Sequence, residues 1–196
     1  TTVALLRETI PDNLARIVAK HSDREALVAC HQDIRWSYQE FHERVLKLAC
    51  GLLGLGLQKG DRVGLWSPNY AEWTLVQYAT AEIGVILVNV NPAYRTHELA
   101  YVLNQASCRA LIAAPRFKSS DYVAMVDSVR GECPGLEHAI FFWSPQWEAL
   151  WDETNAAGQA VLVERRATLA PDDPINIQYT SGTTGFPKGA TLSHSN

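Results

Sequence analysis

The chain has 196 residues, enough for one sizeable domain or a large piece of a bigger one. Its 47% hydrophobic and 19% charged residues are ordinary globular composition and exclude a disordered chain. A formal net charge of −4, with scattered basic residues, offers no basic face for nucleic acid.

No apolar run approaches the ~20 residues a membrane helix needs. The longest, Ile83-Gly-Val-Ile-Leu-Val, has strand length. No signal peptide is visible, and Thr1 in place of methionine leaves a removed or omitted leader open. Of the four cysteines, Cys30, Cys50 and Cys108 stand among apolar neighbours and are expected as small buried hydrophobes. With Cys133 they form no C-x-x-C pair. That points to a reducing compartment, with a structural disulfide as the lesser alternative.

Leu14, Ile17 and Val18 share one face of a short helix predicted over Asn13 to Lys20. Glu25 to Cys30 and Ile34 to Trp36 read as strands around a turn at His31 to Asp33. Ser37-Tyr-Gln-Glu40 is a capping box. Behind it Phe41, Val45, Leu48, Leu52 and Leu55 make one apolar stripe of a long helix, with Gly56 as its stop.

From there strands and helices alternate. Strands are predicted at Arg62 to Trp66, Val85 to Val90, Arg109 to Ala113, Glu137 to Phe142 and Ile175 to Thr180. Helices are predicted from a cap at Asn69 to Ile83, from a cap at Thr96 through Gln105, over Phe117 to Arg130, and over Trp147 to Ala157. The stretch from Trp143 to Pro174 is the least regular and reads as a surface connection. The fold class is therefore α/β: βαβ units with a mostly parallel sheet.

The most informative segment is Thr180-Ser-Gly-Thr-Thr-Gly-Phe-Pro-Lys-Gly189, directly after a strand. Gly182, Gly185 and Gly189 let the backbone approach a ligand and adopt positive φ. Exposed amides in such a turn form an anion-binding concavity. Ser181, Thr183 and Thr184 add hydroxyls, and Lys188 adds a mobile positive charge for a β- or γ-phosphate. Pro187 stiffens the approach to that lysine. Composition alone would also suit a flexible surface loop, but a linker needs no Pro-Lys-Gly directly after Thr-Thr-Gly. A Walker A loop fails by position: Pro187 precedes the lysine, and Gly189 stands where that motif needs Ser or Thr.

Tyr179 to Gly189 resembles the AMP-binding signature of the adenylate-forming superfamily, which includes acyl-CoA synthetases, nonribosomal peptide synthetase adenylation domains and beetle luciferases. Trp36-Ser-Tyr-Gln-Glu-Phe41, Lys59-Gly-Asp-Arg-Val63 and Ala81 to Pro92 resemble the family's earlier landmarks in the right order, so the similarity covers nearly all of the chain. Asp173 to Gln178 and Ala190 to His194 look most like the acyl-CoA synthetase family member 2 branch, which activates medium- to long-chain fatty acids.

The resemblance implies a fatty acyl-CoA synthetase using ATP, Mg2+ and coenzyme A. A carboxylate attacks the α-phosphate of Mg-ATP, and the coenzyme A thiol then displaces AMP. Thr180, Ser181, Gly182, Thr183, Thr184, Gly185, Phe186, Pro187 and Lys188 would hold the triphosphate. Thr180 would lie nearest the α-phosphate, and Lys188 would neutralise charge building on pyrophosphate. Residues 1–196 would be the N-terminal portion of the AMP-binding domain, ending just after this loop. The adenine, ribose, magnesium and acyl contacts would come later, so this stretch alone is expected to lack synthetase activity. A cytoplasmic location would suit a bacterial protein, and the mitochondrial matrix a eukaryotic one.

Other readings are a ligase for another carboxylic acid, and a truncated, non-catalytic nucleotide-binding or structural protein. The glycines of Gly51-Leu-Leu-Gly54-Leu-Gly56 close a helix rather than open a dinucleotide site. The histidines show no metal spacing, so no metal-binding residue is assigned. His194 is expected to serve as a structural hydrogen-bonding group more than to approach a pocket. Tyr94 and Arg95 follow Asn91-Pro92 at a strand end, where a turn explains them and a ligand contact is the alternative. Trp147 and Trp151, four apart, suit core packing better than a carbohydrate platform.

Overall fold

A computed structural model describes residues 6–152, 156–180 and 187–196. Helix α1 spans Ile10–His21 and starts at Thr9, whose hydroxyl accepts the Asp12 N–H at 3.2 Å. Strands β1 (Glu25–Ala29) and β2 (Ile34–Ser37) pair antiparallel around a 3-10 turn at Cys30–Gln32. The capping box is present: Ser37 accepts the Glu40 N–H at 3.2 Å, and Glu40 accepts the Ser37 N–H at 2.8 Å. Helix α2 follows over Tyr38–Gly54, burying Phe41, Val45, Leu48 and Leu52. Gly56, at φ +79°, turns the chain out of it.

Strand β3 (Arg62–Trp66), helix α3 (Ala71–Glu82), β4 (Ile86–Val90), α4 (Thr96–Gln105) and β5 (Cys108–Ala113) then alternate as predicted. Their caps differ from the expectation. Tyr70, not Asn69, occupies the cap position of α3, and the first amide, from Ala71, donates to Gln32 Oε1 at 2.7 Å. A distant side chain supplies the acceptor that a local one was expected to supply. Thr96 is the first helical residue of α4; Arg95 is the cap, and its N–H donates to Glu98 at 3.1 Å.

The helix expected from Phe117 starts later. Strands β6 (Arg116–Phe117) and β7 (Ser120–Asp121) make a small hairpin through Lys118 at φ +53°. Asp121 then accepts the Ala124 N–H at 3.1 Å and caps α5 (Tyr122–Val129). After β8 (His138–Phe141), the stretch expected to be irregular holds two helices, α6 (Pro145–Ala149) and α7 (Ala156–Arg166). Ser144 caps α6, and Pro145 stands in its first turn, where a missing N–H costs nothing. The chain ends in β9 (Pro174–Thr180) and a strand that periodicity does not predict, β10 (Lys188–Ser193).

The main sheet has six strands in the order β10-β9-β4-β3-β5-β8. The pairs from β9 to β8 are parallel, and β10 runs antiparallel to β9. Side chains alternate across a pleated sheet, so the register sorts them. Leu65, Asn89, Gln178 and Thr180 share one face, and Trp66, Val90, Ile177 and Tyr179 share the other. Gly64 lies on the second face, where an added Cβ would sit 3.2 Å from Leu103 of α4. Helices α4 and α5 pack together, and α1, α2, α3 and α7 form a separate packed group.

The core lies between these layers. Leu65, Leu87, Leu111, Ile112 and Trp66 are wholly buried. No disulfide joins the four cysteines; Cys108 and Cys133 are buried and Cys50 half-buried, but Cys30 is exposed. The reason is local: Cys30 opens the 3-10 turn that leads to Asp33 at φ +53°, at the tip of the hairpin. Of the Gly51 to Gly56 segment only Gly56 closes the helix; Gly51 lies inside α2, where a Cβ would meet the Leu150 carbonyl oxygen at 2.2 Å, so it serves close packing.

Candidate functional site

Parallel strands bring their carboxyl ends to one edge of the sheet, where ligand crevices open in α/β folds. Trp66, Val90, Ala113 and Thr180 all end strands on that edge. Thr180 closes β9 and pairs directly with Lys188, the first residue of β10. The antiparallel ribbon therefore grips both ends of the predicted phosphate loop.

Of the predicted site residues, Thr180, Pro187 and Lys188 are described. Thr180 and Lys188 are exposed, and the Thr180 hydroxyl lies 3.5 Å from the Lys188 carbonyl oxygen. Pro187 is half-buried, and its carbonyl faces the Tyr101 hydroxyl at 3.4 Å. Ser181, Gly182, Thr183, Thr184, Gly185 and Phe186 lie outside the described residues.

Gly189 is a correction. Its φ is not left-handed, and it sits in the ladder opposite Tyr179. A Cβ there would come within 2.8 Å of Ile177 Cγ2 and 3.4 Å of the Tyr179 ring. Glycine there serves cross-strand packing, and not the positive φ expected of it.

The floor of the same edge is rigid. Trp66 stacks on Tyr122 with ring centroids 3.5 Å apart and planes 7° from parallel. The Trp66 indole N–H donates to the Asn91 carbonyl at 3.0 Å, and the Tyr122 hydroxyl to the Pro92 carbonyl at 2.5 Å. Burial pushes the Tyr122 hydroxyl up to about 12, so it stays protonated and donating. Asn91 Oδ1 accepts the Ala93 N–H at 2.9 Å. The Asn91-Pro92 turn is thus held from three sides. Arg95, which follows the turn as the cap of α4, donates to Ser120 Oγ of β7 at 2.8 Å, in line with the turn and helix-start reading.

Tyr94 and Tyr101 stand near Tyr179, whose hydroxyl burial pushes up to about 12, with Cys108 and both tyrosines adding to the shift. The sequence marks Tyr94 and Tyr179 through the turn and the signature, but neither Tyr101 nor the Trp66–Tyr122 pair. Their partners lie far apart along the chain, 86 residues for Tyr101 and Pro187, so no local pattern marks them.

His194 is 8% exposed, and its Nδ1 accepts the Ile10 N–H at 3.1 Å. Burial lowers its pKa, partly offset by Asp173 and Asp12, which keeps the ring neutral and accepting. It pins α1 to the end of β10, the structural role expected. Trp147 is buried and meets Trp151 edge-on at 5.5 Å, as core packing requires. Trp143 is 47% exposed and donates to Glu72 at 2.9 Å. Among the described residues, no three His, Cys, Asp or Glu side chains cluster as a metal site, and no helix is long and apolar enough to cross a membrane.

A family model described as "AMP-binding enzyme" matches residues 14–196. The chain is 42% identical to "Medium-chain acyl-CoA ligase ACSF2, mitochondrial" of Mus musculus, over 98% of this chain and 34% of that protein. It thus spans about a third of that relative's length, 34%. Among solved structures it resembles the inhibitor-bound N-terminal domain of FACL13 from Mycobacterium tuberculosis, with TM-score 0.74, 25% identity, and coverage of 96% of this chain and 45% of that one. It also resembles the N-terminal subdomain of Klebsiella oxytoca NpsA in complex with 3-hydroxybenzoyl-AMSN, with TM-score 0.71, 26% identity, and coverage of 99% and 43%.

Proposed function

We infer the activity from one premise: this chain belongs to the AMP-binding enzyme family, whose model matches residues 14–196. The protein is an acid–thiol ligase that activates a fatty acid with ATP and passes the acyl group to coenzyme A. Residues 1–196 are the N-terminal portion of its AMP-binding domain. The observation that carries this reading is the placement of Thr180 and Lys188, cross-strand partners at the carboxyl edge of the sheet on either side of the signature loop.

In the first half-reaction a carboxylate oxygen attacks the α-phosphate of Mg-ATP, forming an acyl-adenylate and releasing pyrophosphate. The chain's own work is positioning and charge stabilisation. Lys188, exposed at the root of the loop, reaches the β- and γ-phosphates and stabilises the departing pyrophosphate. The Thr180 hydroxyl, on the same face of the sheet, lies nearest the α-phosphate. Ser181, Gly182, Thr183, Thr184, Gly185, Phe186 and Pro187 complete the phosphate cradle. Mg2+ arrives as part of the nucleotide substrate, and coenzyme A as the second acceptor.

Identity of 42% to a medium-chain acyl-CoA ligase supports a medium- to long-chain fatty acid as the substrate class. The mitochondrial designation of that relative supports the matrix for a eukaryotic protein, and the cytoplasm is proposed for a bacterial one. The test is ATP–pyrophosphate exchange by the full-length protein with medium- and long-chain fatty acids, aromatic acids and amino acids. Exchange dependent on fatty acids is expected. Exchange with aromatic or amino acids alone would move the protein to another branch, and no exchange with any acid would remove the enzymatic reading.

A further inference from the structure

We propose that Tyr101 is a positioning residue for Lys188: its hydroxyl anchors the Pro187 carbonyl and so fixes the backbone from which the lysine reaches the phosphates. The proposal rests on the ligase reading and adds a residue outside the signature loop.

The ladder between β9 and β10 ends at the Thr180–Lys188 pair. Pro187, one residue further, has no N–H, so its carbonyl is its only backbone hydrogen-bonding group. A backbone carbonyl turned partly away from water gains from a protein donor. The Tyr101 hydroxyl stands 3.4 Å from this one. That is longer than a settled hydroxyl–carbonyl bond, and the hydroxyl is the donor the structure places against this carbonyl.

Tyr101 is well placed to act as a fixed post. It sits on α4, between the buried Ala100 and Val102, and Leu99 and Leu103 bury the same helix against the sheet. The amino end of α4 is fixed by Glu98 and by Arg95 on Ser120. On the strand side, Tyr179 lies on the α4 face of the sheet, packed beside Gly189. Pleating then sends Lys188 to the opposite face, beside Thr180. Among the described residues the lysine ammonium meets no partner, while its backbone is held from behind. Without the Tyr101 contact, the backbone preceding Lys188 loses its tie to the helical layer.

The experiment is Tyr101→Phe in the full-length protein, which removes one oxygen and keeps the ring. The KM for ATP should rise about fivefold, the value of one net hydrogen bond, with the KM for the acid unchanged. Trypsin cleavage after Lys188 without nucleotide should quicken by about the same factor, with the thermal midpoint unchanged. An unchanged KM for ATP, or equal rises in both KM values, overturns the proposal. If the wild-type protein shows no acid-dependent exchange, the ligase reading falls while the cleavage rates still decide the anchor: equal rates in the two proteins reject it, and a faster rate in the variant supports it.

Discussion

The parallel core and the β9–β10 ribbon are parts of one sheet built on opposite terms. In β3, β4 and β5 nearly every residue is buried, whereas five of the six β10 residues are exposed. The core is held by apolar packing on both faces. The ribbon is held by its ladder, by Tyr179 over Gly189, and by polar ties such as Lys59 to Asp173 at 2.7 Å. Ligand-binding segments belong to the less stable parts of a fold, because groups that must meet a ligand cannot also be packed away. A substitution in the core should therefore change stability first, and one in the ribbon should change catalysis first.

The largest effect is expected at Trp66. It is fully buried, stacks on Tyr122 and holds the Asn91 turn. Trp66→Ala should cost about 3–5 kcal/mol, by lost burial and the cavity left behind, read by urea unfolding. A cost near zero would show that the strand-end floor is not part of the packed core.

Next is Glu82, which is 1% exposed at the end of α3. Arg166 of α7 lies 3.3 Å away, yet the carboxylate oxygens make no hydrogen bond. Burial raises its pKa to about 7, against the lowering effect of Arg166, with Asp12 adding to the rise. Between the ordinary carboxyl value of 4.5 and about 7 the folded state binds more protons than the unfolded state. Stability must then fall as pH rises through that window, by about 3 kcal/mol for a shift of this size. Glu82→Gln should flatten that part of the pH–stability profile. An identical slope in the variant would place the titration elsewhere.

Lys188→Ala tests the ribbon. The lysine is exposed, so its loss should leave the thermal midpoint alone. In the full-length ligase kcat/KM should fall about a hundredfold, the usual loss when one charge-stabilising group is removed. Full activity would favour a non-catalytic role for the loop, and unfolding would erase the contrast between ribbon and core.

The same contrast explains what could be read from the sequence. Strands such as Val63-Gly-Leu-Trp66 are buried on both faces and appear as continuous apolar runs, so their positions emerge directly. The capping box at Ser37 is equally legible, because its partners are three residues apart. Expectations failed where a partner came from elsewhere. The acceptor for Ala71 is Gln32, and α7 amid an irregular-looking stretch is docked on α2. Strand β10 is short and polar and is defined by pairing with β9. At the proposed site, Lys188 is marked by the residue pattern of its loop and Thr180 by the resemblance to the AMP-binding signature, while Tyr101, Trp66 and Tyr122 are joined to it only by the fold.

Gly189 gives the smallest and sharpest test, because it is a place where the exposed β10 strand behaves like core. A Cβ at 2.8 Å from Ile177 Cγ2 must push a stiff, branched side chain, and at 3.4 Å it also touches the Tyr179 ring. Gly189→Ala should cost about 1 kcal/mol, at the lower end of overpacking penalties, partly offset by the reduced freedom of the unfolded chain. The displaced Tyr179 ring adjoins Tyr101, so the KM for ATP should rise with the loss of stability. Restoring room with Ile177→Ala in the same chain should recover the KM for ATP while adding its own core penalty. If Gly189→Ala changes neither stability nor KM, the ribbon is soft throughout and the tyrosine packing does not fix Lys188.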